Sequence, residues 1–188
     1  MCIRCYDINR CFLDFICSRT FVDLYTNRRD KHRVLCCNKR MQLLESYKDL
    51  INVDTSFGSW LHVAAAQGNV EMVKYLIGCG MDVNKNGGFS GGTPIEHAAS
   101  RGHLNIVKLL FFSGAKLDVS AAPRNPLFGA IYGGYFDIVM FLVEKGIEIS
   151  AQYDMGTLNN VDAYEYARQY GQTEIADYLK AKLEERKN

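Results

Sequence analysis

The sequence lacks any long hydrophobic run, although 48% of its 188 residues are hydrophobic. No apolar stretch approaches the roughly 18 residues that a membrane-spanning helix needs. The stretch CFLDFIC, residues 11–17, is short and is interrupted by Asp14, which makes it a poor secretion signal. We therefore expect no membrane association and a cytoplasmic location.

An excess of charge of one sign is also missing, because 22 Lys and Arg residues nearly balance 21 Asp and Glu residues. Residues 1–40 hold nine Lys or Arg against four Asp, a net charge of +5, which leaves −4 for residues 41–188 and gives the overall +1. The basic run at residues 28–33 could contact nucleic acid. The net acidity of the longer part argues against a nucleic-acid groove, so no nucleic-acid partner is expected.

Complete catalytic motifs for a zinc protease or a phosphate loop are absent. Glu96 precedes His97, but no second histidine lies four residues further on, as the His-Glu-x-x-His motif requires. The glycine-rich stretch NGGFSGGT, residues 86–93, lacks the Gly-Lys-Ser/Thr that grips nucleotide phosphates, and we interpret it as a turn. We expect no enzymatic activity and no cofactor.

Cysteine is scarce after residue 40, where only Cys79 remains, interpreted as a small packing residue. Cys2 and Cys5 have the spacing of a zinc-binding pair, but a structural site needs a second pair, and His32 with Cys36 is a poor substitute. A disulfide framework would suit a small secreted protein instead. We expect no metal, and we interpret residues 1–40 as a cysteine-rich basic extension that either caps the following domain or is poorly ordered. An alternative is that the natural chain begins at Met41. The cysteines of this extension are Cys2, Cys5, Cys11, Cys17, Cys36 and Cys37.

What the sequence does contain is a helical hairpin, seen in GTPIEHAASRGHLNIVKLLFFSGA, residues 92–115. Thr93 is predicted to cap the first helix through its hydroxyl, and Pro94 suits the first helical position. Gly102 permits a tight reversal because it has no Cβ. A second helix with apolar residues at three-and-four spacing then runs towards Gly114. A single hairpin of this kind cannot bury its apolar face alone.

The hairpin recurs along the chain. Copies begin with SWLHVAAAQGN, TPIEHAASRGH, NPLFGAIYGGY and DAYEYARQYGQ. Their central glycines are 34, 32 and 37 residues apart, at Gly68, Gly102, Gly134 and Gly171. A period near 33 with a Thr-Pro-Leu-His-like start, small residues, a central glycine and a Val-rich second helix resembles the ankyrin repeat. The resemblance covers residues 52–183.

The resemblance implies an all-α solenoid of stacked helix-turn-helix units with short β-turn fingers, and we expect a monomer. It divides the domain at residues 41–188 into a degenerate first repeat, three repeats and a C-terminal capping repeat. The boundaries lie at about 41–58, 59–91, 92–124, 125–160 and 161–188.

Individual positions in the repeats carry further expectations from the same resemblance. His62 and His103 are expected to hydrogen-bond within and between turns. Glu96 stands where histidine is usual, so its turn is expected to be held differently. Residues 149–160 are longer than a standard finger and are predicted to form a hairpin.

Ankyrin repeats generally recognise partners through the fingertips and the exposed ends of the inner helices. Carried over by position, the implied partner-binding residues are Gln67, Phe89, His97, Arg101, Arg124, Tyr132, Tyr153, Tyr166 and Tyr170. Tyr and Arg are enriched at interface hot spots, and large aromatic groups bury much area. We therefore expect the largest contributions from Tyr132, Tyr170, Arg101 and Phe89.

Three stretches are similar to short bacterial ankyrin proteins encoded beside polymorphic toxins: LINVDTSFGSWLHVAAAQGN, RNPLFGAIYGG and MGTLNNVDAYEYARQYGQTEIADYL. That resemblance implies an immunity protein that binds and neutralises a cognate toxin domain. One alternative is a general adaptor, or a secreted effector, that binds a host or regulatory protein. Another is an enzyme or metal protein built on residues 1–40.

Overall fold

A computed structural model describes residues 54–55, 57–88, 91–156 and 158–186, all within the compact unit Val53–Asn188. The predictions for residues 1–40, for residues 41–53 and for Phe89 lie outside the described residues. The described part contains eight α-helices: α1 Trp60–Ala66, α2 Val70–Gly78, α3 Pro94–Ser100, α4 Leu104–Phe112, α5 Pro126–Tyr132, α6 Phe136–Glu144, α7 Ala163–Gln169 and α8 Thr173–Glu185. A short 3-10 turn, Ala122–Arg124, precedes α5, and two strands, β1 Tyr153–Met155 and β2 Leu158–Val161, precede α7.

The helices form two layers in the described part of the chain. The odd-numbered helices pack on one another in chain order, and each also packs against the even-numbered helix that follows it. The even-numbered helices contact one another in the same order. We call the odd-numbered helices the inner layer and the even-numbered helices the outer layer. The predicted all-α stack of helix-turn-helix units is confirmed.

Small residues allow the inner helices to approach closely. Ala64, Ala65, Ala98 and Ala99 are all buried on α1 and α3. A Cβ added at Gly129 of α5 would lie 3.0 Å from the Cβ of Ser100, so a larger residue would push α5 away from α3. The space between the layers is filled by fully buried aliphatic side chains, which include Leu61, Ile95, Leu110, Leu127, Ile131, Ile138, Leu142 and Leu179.

The described residues of the glycine-rich stretch, 86–88 and 91–93, have the geometry of the predicted β-turn finger. The N–H of Gly87 donates to the carbonyl of Gly92 at 2.9 Å, and Gly88 and Gly91 have φ values of +74° and +64°. Residues 88–92 also read Gly-x-Ser-x-Gly, a pattern that α/β-hydrolases place on a turn from a strand into a helix. Among the described residues, the element before this finger is helix α2 and not a strand, so the strand that the hydrolase motif requires is not found there.

The long connection before α7 forms the predicted hairpin. β1 and β2 pair antiparallel, with Tyr153 opposite Val161, and the register shifts before Met155 meets Leu158. Asn160 adopts a φ of +56°, which asparagine tolerates better than most residues. Its N–H donates to the carboxylate of Asp154 at 3.1 Å, which ties the two strands together.

The first three central glycines are each covered by a side chain from the next repeat. A Cβ at Gly102 would lie 2.5 Å from a ring carbon of Tyr135, and His103 and Gln172 stand in the same relation to Gly68 and Gly134. The last central glycine, Gly171, has a similar φ of +70° but nothing within 4 Å of its would-be Cβ. Gly102 and Gly171 therefore differ mainly in whether a neighbouring repeat packs on them.

This difference predicts unequal costs for the same substitution. Gly171→Ala should lower the free energy of unfolding by about 1 kcal/mol, because a positive φ disfavours a residue with a Cβ. Gly102→Ala should cost roughly 1–3 kcal/mol more, since the ring of Tyr135 must also move. Urea denaturation followed by circular dichroism measures both values. Equal losses would show that the packing of Tyr135 on Gly102 contributes nothing.

Candidate protein-binding face

His62 joins the first turn to the next finger. Its Nδ1 lies 3.1 Å from the backbone N of Ser59 and 2.8 Å from the Ser59 hydroxyl, and its Nε2 lies 3.2 Å from the carbonyl oxygen of Gly92. A ring that accepts the Ser59 N–H at Nδ1 carries its proton at Nε2, where it donates to Gly92. The predicted structural role of this fully buried histidine is confirmed.

His103 makes the corresponding link at the other end of the inner helices. Its Nε2 lies 3.2 Å from the carbonyl oxygen of Ala66, the last residue of α1. This carbonyl lies in the last turn of the helix, where it has no partner within the helix itself. The expectation that His103 ties neighbouring backbone together is confirmed.

The predicted hydroxyl cap at Thr93 is wrong. Thr93 is the residue before α3, but its buried Oγ1 has no hydrogen-bond partner among the described residues. The reason is the residue three positions on, where Glu96 replaces the histidine found at His62. The Glu96 carboxylate pairs with His97 at 3.0 Å instead of bonding to Thr93, so this turn is held differently, as expected.

His97 contributes to this turn more than to an open surface. Only 18% of its side chain is exposed, and its Nδ1 lies 3.1 Å from the carbonyl oxygen of Thr93. Its ring also meets that of His62 edge to face at 5.2 Å. Burial lowers the pKa of His97, but the hydrogen bond and charge of Glu96 outweigh it, so the pKa is raised overall. A partner could reach only a small part of this ring.

The third turn is held by a residue from the following hairpin. The Tyr153 hydroxyl donates to the carbonyl of Val119 at 2.6 Å and accepts from the side-chain amide of Asn125 at 3.1 Å. The Asn125 carboxamide oxygen in turn accepts the N–H of Leu127 at 2.9 Å and caps α5. The Tyr153 ring also packs edge to face on buried Phe128 at 5.0 Å. Tyr153, predicted as a binding residue, is thus engaged in holding the hairpin against the previous finger.

Tyrosine side chains continue from Phe128 across the ends of α5 and α7. Tyr166 lies 4.7 Å from the ring of Phe128 and 4.6 Å from that of Tyr170, and Tyr132 lies 5.1 Å from Tyr170. Tyr132 and Tyr170 are 61% and 48% exposed. We call Tyr132, Tyr166 and Tyr170 the tyrosine face. Three of the sequence-predicted residues are therefore brought together in one continuous aromatic surface.

The tyrosine face is held in place by its own contacts. Burial and the hydrogen bond with Tyr170 raise the pKa of the Tyr166 hydroxyl, so this phenol stays neutral at physiological pH. Edge-to-face contacts such as that of Tyr132 with Tyr170 are the favoured geometry for aromatic pairs. Phe128, which stands in its repeat where His62 stands in the first, contacts this surface through Tyr166.

The remaining predicted residues are more widely spread. Gln67 and Arg101 are exposed and follow α1 and α3 directly, at the position that Tyr170 occupies after α7. Arg124 lies in the 3-10 turn, with its guanidinium 4.0 Å from the carboxylate of Asp118. Phe89 lies outside the described residues. The binding roles of these residues stay predictions.

The described residues contain neither a cluster of metal ligands nor a membrane-spanning helix. In residues 54–186, apart from the undescribed positions, no group of three or more His, Cys, Asp or Glu side chains is placed to hold a metal ion. None of the described helices is long and apolar enough to cross a membrane. Cys79 is exposed after α2, which differs from the packing role predicted for it.

The pKa of His62 predicts a pH-dependent stability. Burial, with a smaller contribution from the charge of His97, lowers this pKa to about 4 from 6.5. The unfolded chain therefore binds a proton at His62 more tightly than the folded chain does. The stabilisation that neutral His62 provides is present above pH 6.5 and is lost as the pH falls towards 4. The contribution of His62 to the free energy of unfolding should therefore fall by about 2 kcal/mol between pH 7 and pH 5. The raised pKa of His97 acts in the opposite direction, because its contribution is lost as the pH rises.

Urea titrations at the two pH values check this expectation, with His62→Gln as the comparison. The variant should be less stable at pH 7 but should lose much less on acidification. An unchanged pH slope in His62→Gln would contradict the assignment to His62.

The unpaired hydroxyl of Thr93 predicts contrasting results at two equivalent turns. Thr93→Val keeps the shape of the side chain and removes an unsatisfied buried group, so stability should be unchanged or raised by up to about 1 kcal/mol. Ser59→Ala removes the bond to His62 and should cost about 1–2 kcal/mol. Thermal unfolding compares both variants with the parent. A loss in Thr93→Val equal to that in Ser59→Ala would show that the Thr93 hydroxyl is bonded.

Comparison with known proteins agrees with the repeat geometry. Residues 34–121 match the family model for ankyrin repeats (3 copies). The chain is 34% identical over 93 residues to protein phosphatase 1 regulatory subunit 12A of Mus musculus, which is 50% of this chain and 9% of that protein. It is 31% identical over 119 residues to an ankyrin repeat protein of Rickettsia felis, which is 61% of this chain and 28% of that protein. It is also 30% identical over 106 residues to ankyrin repeat protein L66 of Acanthamoeba polyphaga mimivirus, which is 56% of this chain and 17% of that protein.

The chain spans less than a third of the length of each of these relatives. The matched family region ends at residue 121, before α5 begins. The helical pairs α5–α6 and α7–α8, which carry the tyrosine face, nevertheless repeat the packing of the first two pairs.

Proposed function

We propose that this ankyrin-repeat protein is a non-catalytic scaffold that binds another polypeptide through its tyrosine face, extended by Gln67 and Arg101. The observation that carries the proposal is the exposure of Tyr132 and Tyr170, at 61% and 48%, on the ends of packed helices. Exposed aromatic groups next to polar groups are typical of interaction sites.

The arrangement of the tyrosines favours binding at low entropic cost. The rings of Tyr132, Tyr166 and Tyr170 already contact one another, so few rotamers are lost when a partner covers them. Tyrosine also presents a large apolar ring and a hydroxyl that can pair with a partner's backbone. The adjoining Arg101 adds an exposed cation at the same end of the neighbouring inner helix.

A toxin domain is the partner that we propose most specifically. Its support is the similarity of three stretches, among them RNPLFGAIYGG and the segment that includes α7, to short bacterial ankyrin proteins encoded beside polymorphic toxins. Both of these stretches contain residues of the tyrosine face. In this proposal the chain acts as a monomer in the cytoplasm and covers the active site or an essential surface of the toxin.

A regulatory or adaptor role is the second candidate. It is favoured by the similarity to a relative whose name describes it as a regulatory subunit. The tyrosine face would serve either role, because both require binding of another protein. Gene neighbourhood separates the two, since only an immunity protein needs a toxin gene beside it.

Co-expression with the neighbouring toxin gene tests the proposal. The wild-type chain should restore growth, whereas Tyr132→Ser/Tyr170→Ser should fail and should bind the toxin domain at least about 10-fold more weakly by calorimetry. Phe112→Ser, which removes an exposed aromatic group from the outer layer, is the matched control and should protect fully.

The two possible failures can be told apart. If the wild-type chain gives no protection, the toxin hypothesis fails. If the double tyrosine variant protects as well as the wild type, the binding face is wrong. Circular dichroism confirms that the variants remain folded.

A further inference from the structure

A second aromatic surface lies on the outer layer, whereas the tyrosine face lies on the inner layer. Phe111 and Phe112 end α4, and Phe141 lies on α6. The three rings are mutually edge to face, with centroids 5.6, 5.7 and 6.4 Å apart. We call them the phenylalanine patch. Phe141 is buried, but Phe112 is 73% exposed, the most exposed large apolar side chain among the described residues.

The contacts of Phe112 with Phe111 and Phe141 leave most of its ring exposed. The buried stripe of α4 consists of Ile106, Val107 and Leu110. Phe112 lies beyond this stripe, at the last position of the helix, and leaves most of its ring in water. Exposure of a phenylalanine next to two further aromatic rings is unfavourable for an isolated chain and is characteristic of a contact surface.

Two ammonium groups lie over this patch. Lys145 Nζ is 5.7 Å from the ring centroid of Phe112 and 5.6 Å from that of Phe141, and Lys108 Nζ is 5.7 Å from that of Phe141. Neither lysine has a carboxylate partner among the described residues, in contrast to Lys74 and Lys182 on the other outer helices. The patch therefore combines an exposed apolar ring with two unpaired positive charges.

The acidic residues of α6 do not pair with these lysines. The carboxylate of Asp137 accepts the N–H of Ile138 at 2.9 Å, and neither it nor Glu144 is among the ion pairs of the described residues. The local charge at the patch is therefore positive although the outer layer as a whole is acidic. Its four helices hold seven acidic and four basic residues.

We propose that the phenylalanine patch is a second docking surface, which binds an acidic polypeptide segment anchored by one large apolar side chain. The anchor covers the ring of Phe112, and carboxylates on either side of it pair with Lys108 and Lys145. Such complementary charges steer the encounter and fix the register of the bound segment. The surface is separate from the tyrosine face, so the chain can hold two polypeptides at once.

The charges favour this occupant over two others. A second copy related by a two-fold axis would place the same patch against itself and bring four lysines together. An anionic bilayer would meet the whole outer layer, whose helices carry more acidic than basic residues. A short acidic segment contacts only the positive patch and avoids both repulsions.

Selection of binders from a phage-displayed peptide library on the full chain tests this inference. Phages that also bind the Phe112→Ser/Lys108→Glu/Lys145→Glu variant are removed first, so that the selected peptides are those that need the patch. Peptides with a Phe, Leu or Trp flanked by at least two Asp or Glu residues should be enriched. Fluorescence anisotropy of the selected peptides should show binding at least 10-fold weaker to Phe112→Ser, and weaker still as salt is added. All three substituted side chains are exposed, so the variants should fold, as circular dichroism would verify.

Two variants serve as matched controls for the peptides. Lys180→Glu reverses an exposed lysine of α8 that contacts no aromatic ring among the described residues, and it should bind as the wild type does. Tyr132→Ser/Tyr170→Ser should also bind normally, which separates this surface from the tyrosine face.

Several results would overturn the proposal. They are the recovery of no peptide after depletion, enrichment of neutral or basic peptides, or binding that Phe112→Ser leaves unchanged. Patch-dependent sedimentation with phosphatidylserine vesicles would assign the surface to lipid instead. A patch-dependent dimer in analytical ultracentrifugation would assign it to a second copy.

Discussion

The contact between a central glycine and a side chain of the following repeat, made at Gly68, Gly102 and Gly134, is the constraint on which the stack depends. Gly102 turns the chain back at a φ of +80°, and the missing Cβ leaves room for the ring of Tyr135. The same relation between Gly68 and His103 brings the histidine within hydrogen-bonding distance of Ala66. Glycine therefore both adopts the positive φ of the turn and leaves room for the side chain that packs on it. The exposed ends of the inner helices owe their spacing to it.

The inter-repeat link near the finger is made by different chemistry in successive repeats. An imidazole, His62, makes it in the first described repeat, and a phenol, Tyr153, makes it in the third. In the second repeat the Glu96 carboxylate pairs with His97, and the Thr93 hydroxyl has no partner among the described residues. Where Phe128 replaces the histidine, its ring contacts Tyr153 and Tyr166, and these aromatic contacts add to the hydrogen bonds of Tyr153. The tyrosine face begins at that substitution.

Two aromatic surfaces of different character result from these packing choices. The tyrosine face combines aromatic rings and hydroxyl groups with one nearby arginine, which suits a partner with mixed polar and apolar groups. The phenylalanine patch has exposed Phe112 beside two lysines, which suits an acidic partner. Both surfaces belong to one stack, in which each inner helix packs on the outer helix that follows it.

The sequence by itself determined the helical pairs, the turn glycines, the finger at residues 87–92 and the hairpin before α7, because these follow from local periodicity and backbone preference. It also indicated Tyr132, Tyr166 and Tyr170, since their repeat positions place them at the ends of inner helices. Only the tertiary structure decided that the Thr93 hydroxyl is unpaired, that Tyr153 is engaged and that Phe112 is exposed. The Thr93 hydroxyl is unpaired because the Glu96 carboxylate pairs with His97 instead. Tyr153 is engaged by a group from another repeat, a carbonyl 34 residues away, just as His62 bonds to a carbonyl 30 residues away. Local sequence patterns specify which face of a helix is apolar, but not which distant atom a side chain on that face will meet.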